Sequence, residues 1–317
     1  MSAIGLSSRA IIGEFYRQLE QDAGQNWINP ISMLFSSNQE SETYKWLGQS
    51  PVMREWIGGR QAKGFRENGI TIANKHFEAT LEVLISEMRR DKTGQVMVRV
   101  RELAERTNAH WASLLSTLIL NGATSVCYDG QYFFDTDHSE GNSGTQSNSL
   151  SVDISGLPIP ADEQGSTTEP SARVMKSCIL KGVRQILGFK DDQGEPMNEN
   201  ARNFLIMVPT AFMDVANAAI NNSVLSGAET NDLASTRNFS VNFAVNPRLT
   251  WTDKFAVFRA DGSVSPFIRQ EETPVQLNAI AEGSEEEFKN QRHLYGVDCW
   301  RNVGYGYWQK ACLVTLA

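Results

Sequence analysis

Apolar positions early in the chain recur at helical spacing. Ile11, Ile12, Phe15, Tyr16 and Leu19 share one side, so the stretch reads as an amphipathic helix. The arm that follows, "QDAGQNWINPISMLFSSNQESETYKWLG", loses that period. Asn29-Pro30 and the Ser/Asn/Gln cluster from Ser36 to Ser41 argue against regular structure. Its spaced aromatics, Trp27, Phe35, Tyr44 and Trp46, are too sparse for a core of their own and suit docking onto something larger. From Phe77 the period is two: Phe77, Ala79, Leu81, Val83 and Ile85 alternate with Glu78, Thr80 and Glu82. Ile70 and Ile72 lie on the opposite parity, so a bulge or bend is expected near Asn74-Lys75.

Between Gly94 and Asn121 the period becomes helical again. Val96, Val100, Leu103, Trp111, Leu114, Leu115 and Leu118 form a stripe, with Arg99, Arg101, Glu102 and Glu105 largely off it. Unbroken, this spine would be about 40 Å long. Thr107-Asn108 is a point of interruption and Asn121-Gly122 a stop. The run "QYFF" reads as a strand end, and the Gly/Ser/Asn/Pro-rich stretch from Ser139 to Pro170 as a long surface loop or linker. An α+β module follows. It holds a helix between Pro170 and Gly188, a hairpin tip at "FKDDQGEPM", an apolar strand "NFLIMVP" and a helix capped by Thr210. Near the end, Tyr295, Val297, Val303, Tyr305 and Tyr307 share one parity. Trp300 and Trp308 share the other with Gly296, Gly304 and Gly306, as in a long, bent strand.

The segment around Asn68-Gly69 carries a hairpin signal. It is rich in glycine and charged at Arg54, Glu55, Arg60, Lys63, Arg66 and Glu67, so its own chain can bury little of it. A lone two-stranded hairpin is marginal in water, so either it is floppy or a partner covers it.

Composition narrows the classes. Hydrophobic residues make up 41% of the 317, enough for a real core, and the net charge is −8. No run of Lys or Arg exceeds two, so the footprint of a nucleic-acid reader is missing. The cysteines at 127, 178, 299 and 312 form no CxxC pair and suggest a reducing compartment. No stretch approaches the ~20 apolar residues of a membrane span, and the start of the chain lacks a signal peptide's apolar core.

Candidate chemistry concentrates in "YDGQYFFDTDHSEG", which places Asp129, Asp135, Asp137 and His138 within one short stretch. Asp135 and Asp137 could serve an aspartyl-phosphate hydrolase, with Lys190, Asp191 and Asp192 as the distant partners. The alternating β/α units such enzymes use are missing. So are a nucleophile elbow and a Walker or dinucleotide fingerprint. The favoured reading makes Asp135, Asp137 and His138 a structural turn, with no catalytic, metal or cofactor-binding residue.

The order of parts resembles the Hong Kong 97-type capsid fold, and more closely the Mu-like phage major head subunit family. The residues that carry this are "NKHFEATLEV" (Asn74–Val83), "YDGQYFFDTDH" (Tyr128–His138), "SPFIRQEETP" (Ser265–Pro274) and "HLYGVDCWRNVGYGYWQKA" (His293–Ala311). The resemblance implies an N-terminal helix and arm over 1–45 and an extended hairpin, or E-loop, over 46–76. A peripheral domain with the spine helix then spans 77–167 and an axial domain 168–262, with return strands over 263–317. It implies self-assembly into pentamers and hexamers of an icosahedral head around double-stranded DNA. Portal, scaffold and decoration proteins would be partners, and DNA would be contacted weakly without sequence specificity. Location would be the virion, after synthesis in the bacterial cytoplasm, without membrane or cofactor. An encapsulin-like cargo shell is the alternative. Some such capsids are cross-linked through a hairpin lysine. Around Lys63, "GRQAKGFREN" offers no apolar, carboxylate-assisted pocket, so no cross-link is expected.

Overall fold

The computed structural model describes residues 7–21, 25–47, 69–91, 93–235 and 238–317. Its elements run α1 (Ser8–Gln21), α2 (Ile28–Ile31), β1 (Ser32–Ser36), β2 (Ser41–Tyr44), β3 (Ile70–Ala73), β4 (Lys75–Leu84), α3 (Ile85–Arg90), α4 (Gln95–Asn108), α5 (His110–Leu120) and β5 (Ser149–Val152). They continue α6 (Ala172–Leu187), β6 (Asn203–Val208), α7 (Met213–Asn221), α8 (Asp232–Ser235), β7 (Ser240–Val245), β8 (Lys254–Arg259), β9 (Phe267–Ile280), α9 (Glu285–Asn290), β10 (Arg292–Tyr305) and β11 (Ala311–Leu316). Among the described residues the strands form a four-stranded sheet β1-β9-β10-β4, a five-stranded sheet β5-β11-β8-β6-β7 and the pair β2-β3.

The antiparallel ribbon of β9 and β10 runs through both hydrophobic clusters. Phe267, Ile268 and Tyr305 enter the larger cluster, which also holds α6, β6, β8 and β11. Leu277, Tyr295 and Val297 enter the smaller one, beneath Ile11 and Phe15 of α1 and Val96, Val100 and Ala104 of α4. The expected bend lies between the two. From Gln276 opposite Asp298 to Glu271 opposite Arg301, β9 advances five residues and β10 three. Pro274 and Val275 therefore face the single residue Cys299. Proline has no N–H for a ladder, and a bulge is where a strand tolerates it.

The spine breaks at the expected place. Thr107 Oγ1 donates to the Leu103 carbonyl at 2.7 Å, a back-bond that bends helices. Arg301 donates from Nη2 to the Thr107 carbonyl at 3.3 Å and from Nε to His110 Nδ1 at 3.0 Å. Burial, with the charges of Arg301 and Arg248, lowers the His110 pKa to about 4, which keeps its ring an acceptor. The phase flip is also present. Asn74 interrupts the run between β3 and β4, and its side chain donates to Ser37 Oγ (3.2 Å) and the Gln39 carbonyl (2.8 Å) while accepting from Gln270 (2.8 Å).

Several expectations give way. The arm is not irregular: β1 pairs in parallel with Phe267–Glu271, with Met33 and Phe35 packed inward and Leu34 outward. The stretch after Ser139 is not a free linker, since Ser149–Val152 pairs in parallel with Leu313–Leu316 at the sheet edge. "QYFF" is no strand; its one ladder contact is an isolated bridge from Tyr132 to Val126. Ile85 opens a helix rather than ending β4. Thr210 starts a 3-10 turn and caps nothing. Arg54, Glu55, Arg60, Lys63, Arg66 and Glu67, with Asn68, lie outside the described residues. The described flank pairs Tyr44 with Ile70, and Trp46 and Leu47 beyond it still pack in the larger cluster.

A β-carbon on Gly306 would stand 2.6 Å from the Ser265 carbonyl oxygen, a backbone atom that cannot swing away. We expect Gly306→Ala to destabilise the fold by about 1–3 kcal/mol, read as a lower urea midpoint.

Candidate functional site

The stretch from Val126 to Asn148 is held by local turns before any distant contact is made. The Cys127 amide donates to the Gln131 carbonyl at 2.8 Å and the Gly130 amide to the Cys127 carbonyl at 3.2 Å, a reversal that needs Gly130 at φ +92°. Asp129 sits on this turn. Phe134 then donates to the Gly122 carbonyl at 2.8 Å, beside a glycine whose β-carbon would meet the Phe134 ring at 2.5 Å. Phe133 stacks on Tyr305 with ring centroids 4.7 Å apart.

His138 is fully buried. Its Nδ1 lies 2.6 Å from Asp129 Oδ2 and its Nε2 lies 3.2 Å from Asn148 Oδ1. Asn148 donates from Nδ2 to the carbonyls of Phe133 (2.7 Å) and Trp308 (3.3 Å), which makes its Oδ1 the acceptor. Both ring nitrogens of His138 thus lie beside side-chain oxygens. The ring lies flat on Trp308, with centroids 3.9 Å apart and planes 7° apart. Burial works to raise the Asp129 pKa, but hydrogen bonds from His138 and the Cys127 thiol outweigh it and hold the carboxyl below its usual range. The same burial, with the Asp129 charge, pushes the Cys127 thiol up.

Cys127, Asp129 and His138 are the described side chains that together offer donor atoms for a metal, all within 4.8 Å of one another. Their spacing is that of shared protons. Cys127 Sγ is 2.9 Å from Asp129 Oδ1, and the His138 contact is 2.6 Å. Donors around a tetrahedral zinc ion at 2.0–2.3 Å stand roughly 3.3–3.7 Å apart. The set is therefore a hydrogen-bonded clasp between the 127–148 stretch and the Trp308 turn.

The other sequence candidates are not brought to one point. Asp135 accepts from the amides of Tyr132 (3.1 Å) and Thr136 (2.7 Å), and its own amide donates to Asn148. Asp137 is exposed and has no hydrogen-bond partner among the described residues, so it does not hold the turn as Asp135 does. Asp191 accepts from the amides of Gln193 and Glu195 within its own turn. The Lys190 backbone is bound by the Gln146 side chain. Neither carboxylate of the Asp-x-Asp pair has the Lys and acidic partners that phosphoryl chemistry needs. Cys127, Asn148 and Trp308 escaped sequence reasoning, and only the odd density of Asp129, Asp135 and His138 pointed towards them.

A depressed folded pKa stabilises above the unfolded value of 3.8, and that gain is lost as pH falls through the lower folded value. Asp129→Asn should therefore flatten the acid limb of a stability-against-pH curve below about pH 4. At neutral pH it should cost about 1–3 kcal/mol, because the hydrogen bonds that the buried carboxylate accepts are weakened. Asp135→Ala should cost about 1–2 kcal/mol through its two freed amides, whereas Asp137→Ala should stay within about 0.5 kcal/mol. Urea titrations of the three variants measure all of this.

Residues 8–158 and 242–315 match the family model of the Mu-like prophage major head subunit gpT. The major capsid protein of Escherichia phage Mu is 34% identical over 154 residues, 46% of this chain and 50% of that protein. The Mu-like prophage FluMu major head subunit of Haemophilus influenzae is 32% identical over 148 residues, 47% of this chain and 46% of that protein. The chain spans about half the length of these relatives. Among solved structures, the procapsid of bacteriophage JBD30 superposes with a TM-score of 0.54 at 22% identity, over 97% of this chain and 74% of that one. That likeness gives the fold, a Hong Kong 97-type capsid fold of mixed helices and sheets. With the family model covering both the arm-to-clasp half and the return strands, the chain belongs to the family of Mu-like prophage major head subunits.

Proposed function

We propose that the chain is a structural, non-enzymatic major capsid subunit. It self-assembles into pentamers and hexamers of an icosahedral head that encloses double-stranded DNA. The observation that carries this beyond family membership is the pairing of β2 with β3. Tyr44 and Ile70 are cross-strand partners and flank the charged stretch in the sequence. Arg54, Glu55, Arg60, Lys63, Arg66 and Glu67 are the residues offered to a neighbour from that stretch. Large apolar side chains stand in solvent elsewhere, with Phe288 86% exposed, Val98 58% and Leu34 51%. Scattered weak contacts of this kind gain strength when repeated around a closed shell.

In this reading the four-stranded sheet with α1 and α4 is the peripheral part, built on residues 77–167, whose strand β5 crosses into the other sheet. The five-stranded sheet with α6 and α7 is the axial part over 168–262, completed by the strands after residue 263. Portal, scaffold and decoration proteins are its expected partners, and packaged DNA is contacted without sequence readout. The negative net charge of −8 fits a wall that does not grip its contents. No described helix is long and apolar enough to cross a membrane.

Deleting Arg60–Gly69 should leave a folded chain, by circular dichroism, that forms no closed shells in negative-stain images. Normal particles from that deletion would overturn the role given to the segment, and a wild type that never forms shells would overturn the assignment.

A further inference from the structure

Arg259 ends β8, and Lys310 ends the 3-10 turn Trp308–Lys310 that precedes β11. Between them lies one carboxylate, Asp261, and it is fully engaged. Its Oδ1 accepts from Arg259 Nε at 2.6 Å, and its Oδ2 accepts from the amides of Arg202 (2.6 Å) and Asn203 (2.9 Å). Arg259 Nη1 donates to Asn198 Oδ1 at 3.0 Å. Lys310 has nothing comparable. The residue is 3% exposed, and among the described residues its ammonium has no hydrogen-bond or ion-pair partner. Two buried cations thus share one carboxylate.

Their free donors face the same place. An ideal β-carbon on Gly262 would lie 3.4 Å from Arg259 Nη2 and 3.6 Å from Lys310 Nζ. Gly262 itself is exposed and sits at φ +93°, so its bare face is where this pair of nitrogens meets solvent. The Lys310 environment is positive on balance: burial, then the Arg259 charge, lower its pKa to about 8 despite Asp261. Lys310 Nζ is not sealed from solvent, so the acceptors the chain does not give it come from water or from a ligand.

We propose that Arg259 and Lys310 form a binding site for a small phosphate-type oxyanion over the side-chain-free face of Gly262. An oxyanion with several acceptor oxygens bridges two donors at once, and its charge cancels the surplus. Arg259 is 7% exposed and Lys310 3%, so a free anion reaches them where the backbone of a duplex does not fit.

The test is thermal unfolding of the purified full chain in inorganic phosphate against chloride at equal ionic strength. Wild type should gain about 2–4 °C in Tm with phosphate, saturably. Lys310→Met should show no phosphate-specific gain. If Lys310→Met fails to fold, Lys310→Gln serves instead, since it removes the positive charge while keeping a polar end, and it should remove the same increment. No phosphate-specific gain in wild type, or an equal gain in wild type and the folded variant, overturns the proposal.

Discussion

Two extra residues in one strand set the frame of this molecule. Around Pro274, β9 must fit a longer path than β10 against the same ladder, and the ribbon turns where the paths differ. A straight ribbon would present its alternating side chains to one layer. The turned ribbon gives Phe267 and Tyr305 to one hydrophobic cluster and Leu277 and Tyr295 to another. Arg301 stands at that turn and reaches across to the spine, where it meets the freed carbonyl of Thr107 and lies 4.7 Å over Trp111. The kink in the helix and the kink in the sheet are thus one event, joined by a single buried guanidinium.

The histidine clasp does for the loops what the ribbon does for the layers. Asp129, His138 and Asn148 come from one short stretch and bond one another there, while Trp308 arrives from far along the chain to stack on the ring and to accept from Asn148 through its carbonyl. Such a network adds little net stability over a well-packed apolar core but specifies one arrangement, because any slip leaves a buried polar group bare. What the network supplies is a single fixed arrangement rather than chemistry. That is consistent with a family of structural head subunits.

Features with a local cause were legible in the sequence. The helical stripe from Val96 to Leu118, the break after Thr107, the parity flip at Asn74 and the interleaved parity of Tyr295 to Tyr307 rest on residues close together in the chain. What escaped has its cause far away. Ser32–Ser36 lies between Asn29-Pro30 and a Ser/Asn/Gln cluster and shows no strand signal until Phe267–Glu271 supplies its ladder, and Ser149–Val152 looks like linker until Leu313–Leu316 does. Ile85 continued an alternating pattern that the turn into α3 ended. The clasp was half visible. Its acidic and histidine members lie in one short stretch, but Trp308 arrives from the far end of the fold and Asn148 was hidden in a Ser/Asn-rich run. Asp137 looked like Asp135 in sequence and differs only in what surrounds it.

The strand order of the five-stranded sheet bears on the timing of synthesis. β11 lies between β5 and β8, so the sheet stays split until residues 311–316 leave the ribosome. From Val152 to its partner Leu316 the ribosome must add 164 residues (316 − 152), about 10–30 s at 5–20 residues per second. β8 is made only late in that interval, at residues 254–259, and the place between it and β5 is filled by β11. A nascent chain therefore cannot finish this sheet before β11 emerges, and its closing is a single step in which one strand gains two neighbours at once.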